Sequence, residues 1–399
     1  MRTDLEQLTE SKELSYIRTC LRYQLFPNQA LPVLSADIDW DKLFQLLKWH
    51  GLAAYFYTLR ASLGLDWPVG FRRQLRIDRD MLLLYGDQCA CRVKAVLSSL
   101  CTSGMDVIVL KGWAFIQTLY NRDYSLRFCE DIDILVRPQD SLKAAGILKE
   151  LGYQSLPECW PGYHQRYLNA QAFILADQPK IYKQVFSVGL HWGLLHPPFY
   201  NPEQPKTETL FTYARLLNVA GVDVLELSIE DQILYSCAHL GLHHKYDEAL
   251  HYYFEIGALI CHGGTTLDWA TIIQRAWEWQ CIIPLRRVLV SLEELWPGLV
   301  SADVLQQIKA LSPVFLERFV DWWFGKTSDR PSFEHLLMWV TTPGWRRRLG
   351  MAFQMIFPSP AYLRKKYGPA PSGFWLISYI WWLIRFVQGM GRSPAPESF

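Results

Sequence analysis

The chain has 399 residues, 50% hydrophobic and 20% charged, so it is long and apolar enough to bury two or three cores. It contains none of the biased tracts of disordered or fibrous chains, which predicts a globular protein. Because 40 Lys and Arg residues nearly cancel 39 Asp and Glu residues, the chain lacks the broad positive field of proteins that follow duplex DNA or long RNA.

The cysteines and the apolar runs indicate in which cellular compartment the protein is expected. None of the nine cysteines forms a CxxC pair, and the spacing of Cys89 and Cys91 suits neither a zinc ribbon nor a redox site. The N-terminus is polar and acidic, unlike a secretory signal. The longest apolar run, at 374–384, is shorter than the roughly 20 residues of a membrane span. We therefore expect a cytoplasmic protein with reduced thiols.

Local patterns predict the elements in chain order. Apolar residues recur at helical spacing through the first hundred residues, and a short apolar run at 106–110 then indicates a buried strand. A helix at about 113–120 and a strand of alternating polarity at 131–136 follow. After a helix at 141–152, two further strands are predicted within residues 172–195.

Helical patterns return at Ser228, where Glu230 and Asp231 place negative charge in a first turn, and continue to about residue 324. The whole pattern predicts an α+β fold with a small mixed β-sheet core flanked by helical domains. The predicted units are an N-terminal helical region at 1–103, an α/β core at 104–227, a helical domain at 228–342, a basic aromatic helical segment at 343–392 and a disordered tail at 393–399.

Two acidic residues on the second predicted strand are candidate metal ligands. Asp131 and Asp133 lie two apart, so both carboxylates project from one face of the sheet. Mg²⁺ prefers such oxygen ligands and binds one or two carboxylates together with nucleotide phosphates. Taken alone, however, an Asp-x-Asp pair is found more often on an exposed strand face than in a metal site.

The preceding strand and helix supply candidate phosphate ligands. Lys111 and Gly112 form the turn between them, and backbone N–H groups at such a helix start can meet a phosphate. Lys111 and Arg127 add cations that can neutralise phosphate charge. The alternatives are a solvated strand end for Lys111 and a salt bridge from Arg127 to Glu130 or Asp131.

These residues resemble a known family. The segments VIVLKGWAFIQTLY and LRFCEDIDILV are similar to the signature of the uncharacterised bacterial nucleotidyltransferases, within the DNA polymerase β-like nucleotidyltransferase superfamily. The likeness extends to DWDKLFQLLKWHGL, LHW, SIEDQILYSCAHLGLHHK and IFPSPAYLRKKYG, which occur in the expected order.

The resemblance implies a nucleotidyltransferase-like core and a Mg²⁺-dependent enzyme. A nucleoside monophosphate would pass from a triphosphate, with ATP the first candidate, to a small-molecule, peptide or protein acceptor. Asp131 and Asp133 would hold the metal, while Lys111, Gly112 and Arg127 would contact the nucleotide. Gly112 would let the backbone approach the phosphates closely.

The resemblance also exposes a departure from the superfamily pattern. Its members usually supply a third carboxylate from a neighbouring strand, and the corresponding residue here is Gly189. His191 lies on the same strand face and is a candidate base or ligand in its place, the alternative being a histidine packed beside Trp192. A catalytically altered protein that binds a nucleotide or a partner, or a different reaction on the same fold, are therefore alternative functions.

Two further features remain open. His239 and His243 lie four apart on a predicted helix but lack the intervening glutamate of a zinc hydrolase. The family resemblance implies instead that His243, His244 and Lys245 line the nucleotide or acceptor pocket. The C-terminal Trp345, Trp375, Trp381 and Trp382 alternate with basic residues, as in segments that lie in a membrane interface. The preferred interpretation is that these aromatic residues cover the helical domain, with a solvated basic rim.

Overall fold

The structure, a computed structural model, describes most of the chain. The described residues are 11–28, 37–64, 66–175, 186–197, 201, 203–246, 249–327, 331–368, 377, 379–382 and 384. The predicted disordered tail at 393–399 lies outside these residues, as does Trp375.

The N-terminal part of the described chain is helical, as its apolar spacing predicts. Its helices are α1 (Lys12–Leu25), α2 (Trp40–Trp49), α3 (Ala53–Leu63) and α4 (Val69–Thr102). Side chains cap the first two helices, because Ser11 accepts a hydrogen bond from the backbone N–H of Leu14 and Asp39 accepts from those of Asp41 and Lys42. The long α4 packs against both α3 and the sheet.

The described strands form one seven-stranded mixed sheet in the order β3-β4-β5-β2-β1-β7-β6. The strands are β1 (Ile108–Leu110), β2 (Asp131–Leu135), β3 (Tyr153–Ser155), β4 (Ala170–Leu175), β5 (Ser187–His191), β6 (Arg215–Val219) and β7 (Val222–Glu226). β2 pairs antiparallel with β1 and parallel with β5. The strand that carries both aspartates therefore lies between β1 and β5.

Four strands agree with the sequence prediction, whereas β3 and the β6–β7 hairpin are additions to it. The hairpin turn consists of Ala220 and Gly221, which both have positive φ angles, of 52° and 83°. Turns of this kind match the twist of the flanking strands, but Asn-Gly or Asp-Gly is their usual sequence signal. The hairpin extends the sheet because β7 pairs parallel with β1.

Helices connect and flank these strands. Those of the core are α5 (Gly112–Thr118), α6 (Ser141–Glu150), α7 (Tyr163–Tyr167) and α8 (Thr207–Tyr213), with a 3₁₀ turn at Pro138–Asp140. The C-terminal part contains α9 (Ile229–Leu242), α10 (Leu250–Gly263), a 3₁₀ turn at Gly264–Thr266, α11 (Trp269–Glu278), α12 (Ile282–Leu295), α13 (Ala302–Ala310), α14 (Phe315–Thr327), α15 (Pro331–Thr341), α16 (Trp345–Ile356) and α17 (Pro360–Tyr367). Ser228 caps α9, as predicted, by accepting from the N–H of Asp231.

The N-terminal helices, the sheet and the C-terminal helices share a hydrophobic core. One hydrophobic cluster extends from Leu14 in α1 through the sheet to Leu337 in α15, and a small second cluster joins Tyr163 and Tyr167 to Met351. The α+β prediction, a mixed sheet flanked by helices, is confirmed. Among the described helices, none combines the length and the apolarity that crossing a membrane requires.

Candidate active site

The two aspartates share one face of β2, as their spacing predicts. Ile132 and Ile134 point the other way and are fully buried, which fixes the orientation of the strand. In the register of the sheet, Asp133 lies opposite Leu110 of β1 on one side and Gly189 of β5 on the other. The candidate site therefore lies where three strands meet.

Lys111 turns its side chain onto this face. Its backbone has φ 46° and ψ −128°, a conformation that is costly for any residue other than glycine. Its Nζ lies 2.9 Å from Asp133 Oδ2 and 3.3 Å from His239 Nε2. Burial alone would lower the pKa of Lys111, but the negative charge of Asp133 outweighs burial, so the pKa is raised and Lys111 stays positively charged. Lys111 is therefore not a solvated residue at a strand end, which was the alternative from the sequence.

The two carboxylates differ in their surroundings. Burial tends to raise the pKa of Asp133, but Lys111 and His191 outweigh burial and hold this pKa well below its usual range. The carboxylate of Asp131 has no hydrogen-bond or ion-pair partner among the described residues. Burial and then the charge of Asp133 raise the pKa of Asp131 to about 7. Asp131 is therefore the carboxylate that most needs a cation.

Gly189 leaves room that Asp133 occupies. A Cβ atom built on Gly189 would lie 2.1 Å from Asp133 Oδ1 and 3.2 Å from His191 Nε2. Real Cβ atoms essentially never approach another heavy atom that closely, so a side chain at this position requires Asp133 to move. The third carboxylate is absent here, and the Asp133 carboxylate packs against the bare backbone.

His191 is both buried and directed at the site. Its Nε2 lies 3.1 Å from Asp133 Oδ1, and its Nδ1 lies 3.1 Å from Nε2 of His196. The two interpretations of His191 from the sequence are thus compatible, because a packed histidine also faces the aspartates. No pattern in the sequence around His196 indicates a site, so its place beside His191 is found only in the structure.

Helix α9 and the two residues after it bring three more imidazoles to the same place. The ring centroids of His239 and His243 are 4.8 Å apart, and His244 Nε2 lies 3.0 Å from His239 Nε2. Burial and then the charge of Lys111 lower the pKa of His243 to about 3 and that of His239 well below its usual value. These two rings are therefore neutral at pH 7. That His243, His244 and Lys245 line a nucleotide or acceptor pocket stays a prediction.

Arg127 has a different partner from the one that the sequence indicated. Its Nε donates to Glu255 Oε1 of α10 at 2.5 Å, and Tyr120 donates to the same oxygen at 3.1 Å. The salt bridge to Glu130 or Asp131 that was an alternative for Arg127 is not formed. To contact a phosphate, Arg127 would have to leave Glu255, and its role as a nucleotide ligand stays a prediction.

Gly112 has a packing reason to be glycine. A Cβ atom on Gly112 would lie 2.6 Å from Cys129 Sγ, so any side chain would push α5 away from the segment that precedes β2. Close approach of the backbone to a phosphate remains a prediction for this residue.

The sequence pattern of the uncharacterised nucleotidyltransferases matches residues 36–297, about two thirds of the chain. The chain belongs to this family. The match includes Lys111, Gly112 and both aspartates, and it confirms the resemblance that these residues carry. Family membership indicates a transferase that uses a nucleotide.

Comparison with curated proteins gave no match. Among solved structures, the antibiotic-resistance factor ANT(2'')-Ia is 15% identical over 52% of this chain and 97% of its own, with a TM-score of 0.33. An antigenic nucleotidyltransferase-like protein from Paracoccidioides brasiliensis is 16% identical over 59% of this chain and 95% of its own, also with a TM-score of 0.33. Likeness at this level carries no argument about this chain.

The side chains of this family member set a limit on any metal site. Among the described residues, no three His, Cys, Asp or Glu side chains are arranged to hold a metal ion by themselves. Asp131 and Asp133 provide two carboxylates on one face, a set that suits Mg²⁺ only when phosphate oxygens complete its shell. The residues present therefore fit a cation that arrives with a nucleotide.

Proposed function

We propose that this chain binds a magnesium-chelated nucleoside triphosphate at Asp131, Asp133 and Lys111 and transfers the nucleoside monophosphate to an acceptor. The observation that carries the proposal is one partly buried cluster that holds an unpaired carboxylate, a paired carboxylate and a charged lysine. Opposite charges in such a site attract a metal–phosphate complex more strongly than they would in water. Family membership supports the same class of reaction.

The proposed reaction is an in-line displacement. The acceptor oxygen forms a bond to the α-phosphorus while the bond to the pyrophosphate oxygen breaks, and pyrophosphate leaves with that electron pair. Asp131 and Asp133 hold the Mg²⁺ ion, which supplies charge neutralisation when bound. Lys111 neutralises phosphate charge. His191 takes the proton of the acceptor hydroxyl in place of the carboxylate missing at Gly189, and its Nε2 must leave Asp133 Oδ1 to do so.

The acceptor that we propose is a hydroxyl of a small molecule, a peptide or a protein. A net charge of +1 gives no broad positive field for a polynucleotide. ATP is the first triphosphate to test, and the other ribonucleoside triphosphates are tested beside it, because the residues proposed here would contact the phosphates and not the base.

Nucleotide binding is tested by thermal unfolding with each ribonucleoside triphosphate, in Mg²⁺ and in EDTA. At about 100 times the dissociation constant, binding should stabilise the chain by about 2 to 3 kcal/mol, and only with Mg²⁺. Asp131→Ala should abolish the shift without unfolding the chain, since Asp131 has no partner to lose. The matched control is Asp66→Ala at an exposed carboxylate. A chain that no triphosphate stabilises would sink the proposal.

Transfer itself is followed with labelled triphosphate in cell extract. His191→Ala should remove labelling and leave the magnesium-dependent thermal shift intact. Loss of thermal stability in that variant, with labelling unchanged per folded molecule, would instead assign His191 to packing.

A second candidate function is nucleotide or partner binding without transfer. It is favoured by Gly189 and by Asp133, both of whose oxygens are already paired, one with Lys111 and one with His191. If the wild-type chain binds the triphosphate but labels nothing, and Gly189→Glu creates labelling, this candidate replaces the first. A third candidate is a different reaction at Asp131, Asp133 and His191, which product analysis after incubation with metabolite extract would reveal.

A further inference from the structure

The exposed apolar side chains of this protein concentrate at its C-terminal end. Of the twenty large apolar side chains that are exposed in the described chain, eleven lie at or after residue 315. On α16, Trp345 is 67% exposed, Leu349 58%, Phe353 56% and Ile356 57%. The spacing of these four residues places them along one side of the helix. Isolated exposed apolar residues are normal, but a continuous stripe marks a binding surface.

The opposite side of α16 is anchored to the protein. Met351 is fully buried against Tyr163 and Tyr167 of α7. Arg347 donates to the backbone carbonyl of Arg166, near the end of α7. The helix is therefore held in place, and its apolar stripe faces outward in the folded protein.

A second stripe follows the first. In the helical residues described between 377 and 384, Ile377, Ile380 and Ile384 are exposed at a spacing that again places them on one side. Trp382 is buried and donates to the carbonyl of Gly368. The preferred interpretation from the sequence, in which the C-terminal aromatics cover the helical domain, is wrong for Trp345, which is exposed. For Trp382 it stays a prediction, because the contacts of this buried ring with Gly368 and Arg364 lie within the C-terminal segment.

The charge around these stripes has one sign. Residues 343–396 contain eight Lys and Arg residues and no Asp or Glu, although the whole chain carries a net charge of only +1. Arg346 and Arg348 are the positions that flank the stripe on α16, and Arg346 lies 5.3 Å from the Trp345 ring. Arg364, Lys365 and Lys366 on α17 are exposed. The surface is thus apolar along its middle and positive at its rim.

We propose that α16, α17 and the helical residues after them form a surface that docks the protein onto a membrane containing anionic lipids. Helices that lie in a membrane interface combine an apolar stripe with Trp and flanking Lys or Arg, as these do. Anionic headgroups attract the basic rim, and the acyl boundary accepts Leu349, Phe353 and Ile356. The protein lies on the membrane through this surface and does not cross it.

The charge and the aliphatic side chains of this surface suit an anionic membrane better than they suit a second copy of the chain or a nucleic acid. A second copy of the chain that docked by the same face would place two strongly basic rims against each other, which is repulsive. A nucleic acid would account for the cations and for Trp345, but it offers no partner for exposed Leu and Ile side chains. An anionic bilayer satisfies both the charge and the aliphatic surface.

The test is flotation of the full chain with vesicles. Vesicles of 70% phosphatidylcholine and 30% phosphatidylserine should carry the protein upward, and pure phosphatidylcholine should carry at least about tenfold less, since each basic residue near an anionic surface strengthens binding several-fold. The variant Leu349→Ser/Phe353→Ser/Ile356→Ser should lose at least about tenfold in partitioning. The triple variant Arg364→Gln/Lys365→Gln/Lys366→Gln should lose the preference for phosphatidylserine.

The control variant is Leu142→Ser/Leu216→Ser, which removes two exposed apolar side chains elsewhere and should float like the wild type. Circular dichroism and unfolding midpoints confirm that each variant folds. Recovery of the wild type in the unbound fraction with every vesicle would overturn the proposal. So would self-association in sedimentation velocity, or binding of single-stranded RNA, that depends on the α16 stripe while flotation does not. None of these outcomes depends on whether the triphosphate site works.

Discussion

At position 189 the absence of a side chain decides where a neighbouring carboxylate lies. Asp133 Oδ1 occupies the space that a Cβ atom on Gly189 would need, and from there it meets His191. The sequence located this departure through the family pattern, but it could not show that Asp133 had taken the space. That result depends on the register between β2 and β5, which brings the two residues opposite each other.

The substitution Gly189→Ala should therefore destabilise the protein. We expect the free energy of unfolding to fall by about 1 to 3 kcal/mol, because a methyl group is forced into filled space. Gly146→Ala in α6 is the control, since no atom lies near its Cβ position, and it should raise stability by about 0.5 to 1 kcal/mol. Urea denaturation measures both. Equal stability of the two variants would show that Asp133 can move away from the new methyl group without a loss in the free energy of unfolding.

The backbone conformation of Lys111 is likewise decided by the contacts of a single side chain. A lysine in a glycine-like backbone conformation is unfavourable, and the surrounding contacts with Asp133 and His239 hold it there. Strain of this kind clusters at functional sites. The sequence identified the residue but not its conformation, because φ is set here by what the side chain reaches.

Between elements, one ion pair joins the segment before β2 to α10. Arg127 and Glu255 are both nearly buried, and Tyr120 and the carbonyl of Phe128 complete their hydrogen bonds. A buried pair of this kind resists the removal of one partner, because the other charge is then left without compensation. The pair helps to fix β2 against the helices that carry the histidines.

Arg127→Met should lower the free energy of unfolding by about 3 to 5 kcal/mol. The double variant Arg127→Met/Glu255→Met should recover most of that loss, since no buried charge remains. Denaturant titration of the single variants and the double variant measures the coupling. If Arg127→Met instead keeps full stability and loses only the triphosphate-dependent thermal shift, Arg127 serves the nucleotide and not the fold.

For the whole molecule, stability depends on pH through a buried acid far from the aspartates in sequence. Glu317 of α14 is fully buried and accepts a hydrogen bond from the N–H of Ile283, while its Oε2 has no partner among the described side chains. Burial raises the pKa of Glu317 from 4.5 to about 8. The folded chain then holds this proton more tightly than the unfolded chain does between these two values.

Stability should consequently decrease as the pH rises from about 5 to about 8. Glu317→Gln keeps the shape of the side chain and removes its titration, so the variant should show a weaker decrease over the same range. Unfolding free energies of both proteins at pH 5.5, 7 and 8.5 test the difference. Parallel pH profiles would mean that Glu317 ionises at its ordinary pKa.

The sequence by itself determined the alternation along β2, the helical spacing on either side of the core, the cap of α9 and the family motif. These signals are local, because strand and helix periods and capping residues act within a few positions of the chain. They were sufficient to place Asp131 and Asp133 on one face and Lys111 at the preceding turn.

Only the tertiary structure decided what those residues meet. His239 meets Lys111, and Glu255 meets Arg127, across 128 positions of the chain in each case. Their contacts depend on strand order and helix packing, which no short pattern encodes. The same reason explains why Trp345 is exposed and Trp382 buried within one aromatic segment, since exposure depends on what packs against each face.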